Sequence, residues 1–257
     1  TTQVQVDADL FNLNIANNPS EIGKFPAGVA QSADVIFQNT QNLPQRMRLI
    51  TALTQEMAFP QSKTISSPEE MSKQYAKVVF YDYINEIARN MDDRASAYLF
   101  ESFLALCAGG RVEGAQAAED QTTMGATDFT IGEGDVKGSC KYYSTKSNIS
   151  QAISGFDNNE PVHYIIAIKK KDKNPQGQKI IREISIYYIK ILVEKLQRKV
   201  NVSYFAPNGQ KLLGMSLPTK GDKAVTEVPI HMNQLYRSES LIGDIELLSD
   251  DRQELLS

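Results

Sequence analysis

Two β-rich runs constrain this chain more than any other feature. PVHYIIAIKKK (161–171) and EISIYYIKI (183–191) flank DKNPQGQK (172–179), and β-branched and aromatic runs around a Pro/Gly-containing loop read as strand, loop, strand. Such a pair needs a sheet to belong to. With helical patterns upstream and further strand signals downstream, the order of elements implies an α/β or α+β protein with a sheet at its centre. At 257 residues the chain is long enough to bury a substantial core.

Helices are expected before the sheet. QRMRLITALTQEMAF (45–59) places Met47, Ile50, Leu53 and Met57 on one helical stripe. SSPEEMSKQYAKVVFYDYINEIARNMDD (66–93) opens with Ser67 at an N-cap, Pro68 at the first helical position and Glu70 as the acid of a capping box. ASAYLFESFLALCAGG (95–110) follows as a helix stopped by Gly109 and Gly110, with Leu99, Phe103 and Leu106 on the face expected to pack on the sheet. The remainder of the first sixty residues, broken by Pro19, Pro26, Pro44 and Pro60, reads as extended segments that lean on the core or on a partner chain. LVEKLQRK (192–199) reads as a short helix, and the last fifty residues as strands and turns with an acidic tail. Three regions follow: 1–65, partly helical and extended; 66–200, the core; 201–257, β-rich. The sheet is expected to contain 127–131, 135–143, 162–170 and 181–191.

Composition removes several function classes. The hydrophobic fraction of 41% and charged fraction of 23% are those of an ordinary soluble protein, and no run reaches the ~20 apolar residues of a membrane helix. No basic-then-apolar start resembles a signal peptide, so the expected location is cytoplasmic or virion-associated. The net charge of −4 argues against a protein that coats nucleic acid, although a local basic groove is compatible with it. His163 and His231 lack a Cys or His at ligand spacing, which disfavours zinc, and no Walker-type phosphate loop is present. The Tyr residues of YDY and IYY sit among aliphatics and read as core. IKKKDK, with Lys169, Lys170, Lys171 and Lys173, and QRMR, with Arg46 and Arg48, read as solvated charge or as phosphate contacts.

The chemistry concentrates in TDFTIGEGDVKGSC (127–140). Residues two apart on a strand share a face, so Asp135 and Lys137 project together, with Asp128 available from the neighbouring strand. Carboxylates supply the oxygen ligands a hard cation such as Mg²⁺ prefers, and a lysine beside them can orient or activate a water for attack on a phosphodiester.

These residues resemble the PD-(D/E)xK superfamily of restriction-type and phage-type nucleases: an acid-bearing helix, then D-F-T-I, then D-V-K. The resemblance covers about residues 93–170. It implies a restriction-endonuclease-like mixed sheet flanked by helices, Mg²⁺ as cofactor and DNA as substrate. It implies further that Asp128, Asp135 and Glu101 hold the metal, that Lys137 activates water, that NISQAISGF is the helix that often follows, and that Gln151 on it and Lys141 contact substrate. The pattern departs from the family in Thr127 before Asp128 and in the short gap between the two aspartates.

Geometry sharpens the expectation. If Glu133-Gly134 form a two-residue turn, Asp128 stands opposite Ser139, and the two aspartates lie four residues, roughly 13 Å, apart along the ladder at ~3.3 Å per residue. Ser139-Cys140-Lys141 then occupies the acid-x-Lys place without the acid. Two readings result: a Mg²⁺-dependent DNA endonuclease or nicking enzyme, or a structural or assembly protein, such as a phage particle component, that reuses the fold and binds other protein chains.

Overall fold

The computed structural model describes residues 13–16, 28–40, 42–58, 64–90, 103, 104, 107, 112–113, 129–131, 136–143, 149–152, 161–173, 177, 179–219, 225, 227–230 and 232–247. The fold is α+β, with a mostly antiparallel sheet and three principal helices. The strands are β1 (Leu13–Ala16), β2 (Val112–Glu113), β3 (Phe129–Ile131), β4 (Val136–Tyr143), β5 (Ile149–Ala152), β6 (Pro161–Lys173), β7 (Lys179–Lys195), β8 (Lys199–Phe205), β9 (Lys211–Pro218), β10 (Glu227–Ile230) and β11 (Leu241–Glu246). The helices are α1 (Val29–Phe37), α2 (Leu43–Ala58), α3 (Pro68–Asn90) and the single turn α4 (Met232–Leu235). The main sheet runs β2-β1-β3-β4-β6-β7-β8-β9, with β11 also on β7; β5 and β10 form a separate pair. Its two parallel pairs are β1–β2 and β4–β6.

The β6–β7 hairpin is the spine. Its register runs from Pro161↔Leu192 to Lys173↔Lys179. The other edge of β7 is divided: residues 183–187 pair with β11, and 190–195 pair with β8. Both faces of the hairpin are covered. Ile165, Ala167, Ile184, Ile186 and Tyr188 join a core beneath the helices. Tyr164, Ile166, Ile168, Ile189, Ile191 and Val193 join a second core with β8, Val228 and Ile230 of β10, and Leu235 of α4. Burial on both sides explains why these strands read as continuous apolar runs rather than as alternation.

The helices dock as their stripes require. In α2, Leu43, Met47, Ile50, Leu53 and Ala58 are buried, and Asn42 caps the first turn by accepting from the Gln45 amide at 2.9 Å. Thr54 donates to the Glu246 carbonyl at 2.8 Å, and the Glu246 amide donates to Thr51 Oγ1 at 3.2 Å, which fixes α2 along β11. The approach is close: a Cβ on Gly243 would sit 3.2 Å from Met47 Cε. At the start of α3 the Glu70 amide donates to Ser67 Oγ at 3.1 Å, the expected cap. The reciprocal bond differs from the standard box, because Glu70 Oε2 accepts from the amide and hydroxyl of Ser66 instead of the Ser67 amide.

Three sequence expectations change. Residues 29–37 form helix α1, although this stretch was expected to be extended; it starts from Gly28 at φ +88°, and Phe37 meets Phe80 edge-on at 5.4 Å. Its helix propensity is poor, and packing on α3 supplies what propensity lacks. Residues 149–152 of NISQAISGF are a strand, not a helix, paired with β10, whose Val228 and Ile230 are buried. LVEKLQRK is not a helix either. It finishes β7, turns at Leu196–Arg198 and starts β8, because Val193 continues the alternation of Ile189 and Ile191 into the second core. α2 is the helix expected over 45–59, and together with α1 it contributes Val29, Phe37, Leu43, Met47 and Ile50 to the helix-side core. Of the residues expected to seat the third helix, Phe103 is buried, as are Leu104 and Cys107, while Leu99 and Leu106 lie outside the described residues.

Candidate functional site

The β3–β4 hairpin carries the sequence motif. Its register is Phe129↔Gly138, Thr130↔Lys137 and Ile131↔Val136, the register that a two-residue turn at Glu133–Gly134 calls for. Asp128, Asp135 and Glu101 lie outside the described residues. Lys137 is on β4 opposite Thr130, and Lys141 is on the same strand in register with Ile166 of β6. Gln151 is on β5 opposite Val228, in the strand pair rather than on a helix. The hairpin's flanks are both occupied: β1 pairs with β3, and β6 runs parallel to β4.

A polar pair that sequence reasoning passed over sits beside this hairpin. His163 is in register with Gly138 on one side and Lys190 on the other, and its Nδ1 is hydrogen-bonded to the Tyr188 hydroxyl, with ring centroids 5.6 Å apart. Within PVHYIIAI the two-residue period aligns His163 with Ile165 on the helix-side face, the only signal the sequence offered.

Other chemistry-bearing residues are structural. Arg46 donates from Nη1 to the Cys107 carbonyl at 2.9 Å and from Nε to Thr40 Oγ1 at 3.1 Å, and its guanidinium lies 5.3 Å from the Phe37 ring centroid. It joins three segments instead of presenting charge to a ligand, whereas Arg48 is exposed. Burial pushes the Cys107 thiol far above its ordinary range, against the opposing pull of Arg46, so it is no nucleophile. Burial likewise raises Tyr83, with Cys107 adding to the shift, and Tyr204, whose hydroxyl donates to the Pro229 carbonyl. Tyr81, Tyr83, Tyr187 and Tyr188 are all buried, as expected of core residues.

Among the described residues no three His, Cys, Asp or Glu side chains come together as a metal site. No described helix is long and apolar enough to cross a membrane. Compared with models of protein families, with curated proteins and with solved structures, the chain matches none.

Proposed function

We propose that this chain is a structural or assembly protein built on a nuclease-like sheet, a component of a larger particle rather than a working hydrolase. The observation that carries this reading is the β3–β4 register. With Phe129 opposite Gly138 and Ile131 opposite Val136, the ladder follows the two-residue-turn arrangement, under which Ser139-Cys140-Lys141 stands where an acid-x-Lys motif would. Occupied strand edges on both sides of the hairpin, from β1 and β6, are consistent with a scaffold.

A second reading, a Mg²⁺-dependent DNA endonuclease, is favoured by one specific feature. The antiparallel β3–β4 hairpin is followed by β6 parallel to β4, a mixed sheet of the kind the PD-(D/E)xK resemblance implies. In that reading Asp128, Asp135 and Glu101 would hold the cation, Lys137 would orient the attacking water, and Gln151 and Lys141 would meet the substrate.

Incubation of the full chain with supercoiled plasmid in Mg²⁺, Mn²⁺ or EDTA separates the two. The scaffold reading expects no nicking under any condition. Metal-dependent nicking abolished by Lys137→Ala, whose loss from a positioned acid–base role costs ~10²–10⁴-fold, would overturn it.

A further inference from the structure

The main sheet ends at β9, and among the described residues β9 pairs with β8 alone. The strand at the other end, β2, has only two residues. β11, beside β7, is held along α2 by the Thr54 and Glu246 bonds. β9 is thus the long open edge: eight residues, KLLGMSLP, with a row of backbone groups turned away from β8.

Sheet edges are usually guarded by charge, by proline or by a bulge. In β9 these devices sit at the two ends. A register shift between Tyr204 and Phe205 lies beside Lys211, and Pro218 is the last residue. Between them, Leu213-Gly214-Met215-Ser216-Leu217 carries neither charge nor proline. Met215 is the middle of that open window.

The two faces of the window differ. Leu213, Met215 and Leu217 stand opposite Tyr204, Val202 and Val200, which are buried, and pack half-buried against the same strand-side core. The Tyr204 hydroxyl lies 3.9 Å from Met215 Sδ. Gly214 and Ser216 are exposed on the other face. The core therefore runs out to the edge and stops with its last apolar row half covered.

A second copy of this chain fits that edge. Directly opposed residues of antiparallel strands share a face, so full overlap of the window with apolar against apolar puts Met215 on a two-fold axis. Leu213 then stands opposite Leu217 of the second copy, and Gly214 opposite Ser216. The charges agree as well. A Cβ on Gly214 would sit 2.9 Å from Lys211 Nζ, so the lysine lies along Gly214. Its ammonium would come over Ser216 of the second copy, a neutral acceptor. A parallel, in-register pairing would set Lys211 against Lys211, and like charges directly opposed are destabilising.

We propose that β9 pairs antiparallel with β9 of a second copy about a two-fold axis at Met215, joining two sheets into one. This is independent of whether the β3–β4 hairpin, toward the other end of the sheet, is catalytic.

The test is sedimentation velocity of the full chain. A joint of one strand pair is small and belongs with the weaker interfaces, so about 5–200 μM is the range to cover. Wild type is expected to move with concentration from the mass of one chain, 28.6 kDa, to that of two. Ser216→Lys sets an ammonium against Lys211 of the second copy and should weaken association at least about tenfold. Ser216→Ala loses the same 3.0 Å hydrogen bond to Asn201 without adding charge, and should dimerise like wild type. Met215→Cys reads the register separately. Opposed residues of an antiparallel pair have Cα atoms about 4.5–5.5 Å apart, within the span of a disulfide, so mild oxidation should link two chains above the wild-type level. Leu213→Cys lies four residues, roughly 13 Å, from its own counterpart and should link only when mixed with Leu217→Cys. Wild type monomeric at every concentration, assembly continuing past two chains, equal association by Ser216→Lys and wild type, or no excess cross-link in Met215→Cys would overturn the proposal.

Discussion

The two faces of the β6–β7 hairpin bury similar side chains but are assembled in different ways. The strand-side core draws its buried members from Val162 to Leu235, largely from the consecutive hairpins β6–β7, β7–β8 and β8–β9. The helix-side core gathers Val29, Leu43, Phe80, Phe103, Ile165 and Ile245, residues from almost the whole length of the chain. Its polar ties are correspondingly long-range: Thr54 reaches Glu246 and Arg46 reaches Cys107. The strand-side ties include an Asn201 side chain that donates to Glu194 at 2.7 Å and accepts from Ser216 at 3.0 Å across adjacent strands. Closing a long loop costs entropy before any contact rewards it, so the meander should organise early and the helices dock late.

The largest expected effect tests that order. Phe80→Ala on the helix side and Ile189→Ala on the strand side, both fully buried, should each cost roughly 2–5 kcal/mol in denaturant unfolding. Their kinetics should diverge, with Ile189→Ala mainly slowing folding and Phe80→Ala mainly speeding unfolding. Chevron plots in which both variants slow folding equally would remove the distinction.

Arg46→Ala should follow, at about 1.5–3 kcal/mol, because a charged donor to a part-buried carbonyl is lost along with its contact to Phe37. Arg46→Lys should recover little of it in urea titrations, since an ammonium lacks the planar fork that reaches Thr40 and Cys107 together.

Alkaline titration sharpens the comparison further. Cys107 is raised in the folded state by burial, so the folded form retains its proton at pH values where the unfolded thiol has lost it. Stability is then fully present below the unfolded thiol value of about 8.5 and falls as pH rises above it, at up to ~1.4 kcal/mol per pH unit. Tyr83 on the helix side and Tyr204 on the strand side are raised by burial too, and add the same sign from about pH 10. Cys107→Ala should therefore delay the onset of alkaline destabilisation to about pH 10, as read from unfolding midpoints between pH 7 and 10.5. An unchanged onset would show that the thiol is not responsible.

The smallest effect belongs to the strand side. Tyr204→Phe removes the hydroxyl that donates to the Pro229 carbonyl and should cost about 1 kcal/mol, with the β10 attachment weakened more than the meander. Amide hydrogen exchange should report that difference, with faster exchange at Val228 and Ile230 than at Val200 and Val202.

Several elements were legible because one local pattern sufficed. The long apolar runs of β6 and β7, the Met47–Ile50–Leu53 stripe of α2 and the Ser67–Pro68–Glu70 start of α3 all signal themselves within a few residues. In α1, poor propensity concealed a helix that exists because Phe37 and Val29 have α3 to pack on. Residues 149–152, expected as helix from the family resemblance, and 192–195, expected as helix from the sequence, are held as strands by partners at 227–230 and 200–203. The motif hairpin divides along the same line. That β3 and β4 pair could be read from the chain, while which residue faces which could not.

From sequence alone came the β-rich centre, the two long helices, the capping of α3 and the concentration of lysine between 169 and 182, all consequences of local period, propensity and composition. Tertiary structure decided the β3–β4 register, the pairing of His163 with Tyr188 and the use of Arg46 as a clamp. The reason is physical. A strand shifted by one residue keeps its own backbone preferences but turns every side chain to the other face, so only the burial available across the whole sheet selects among registers.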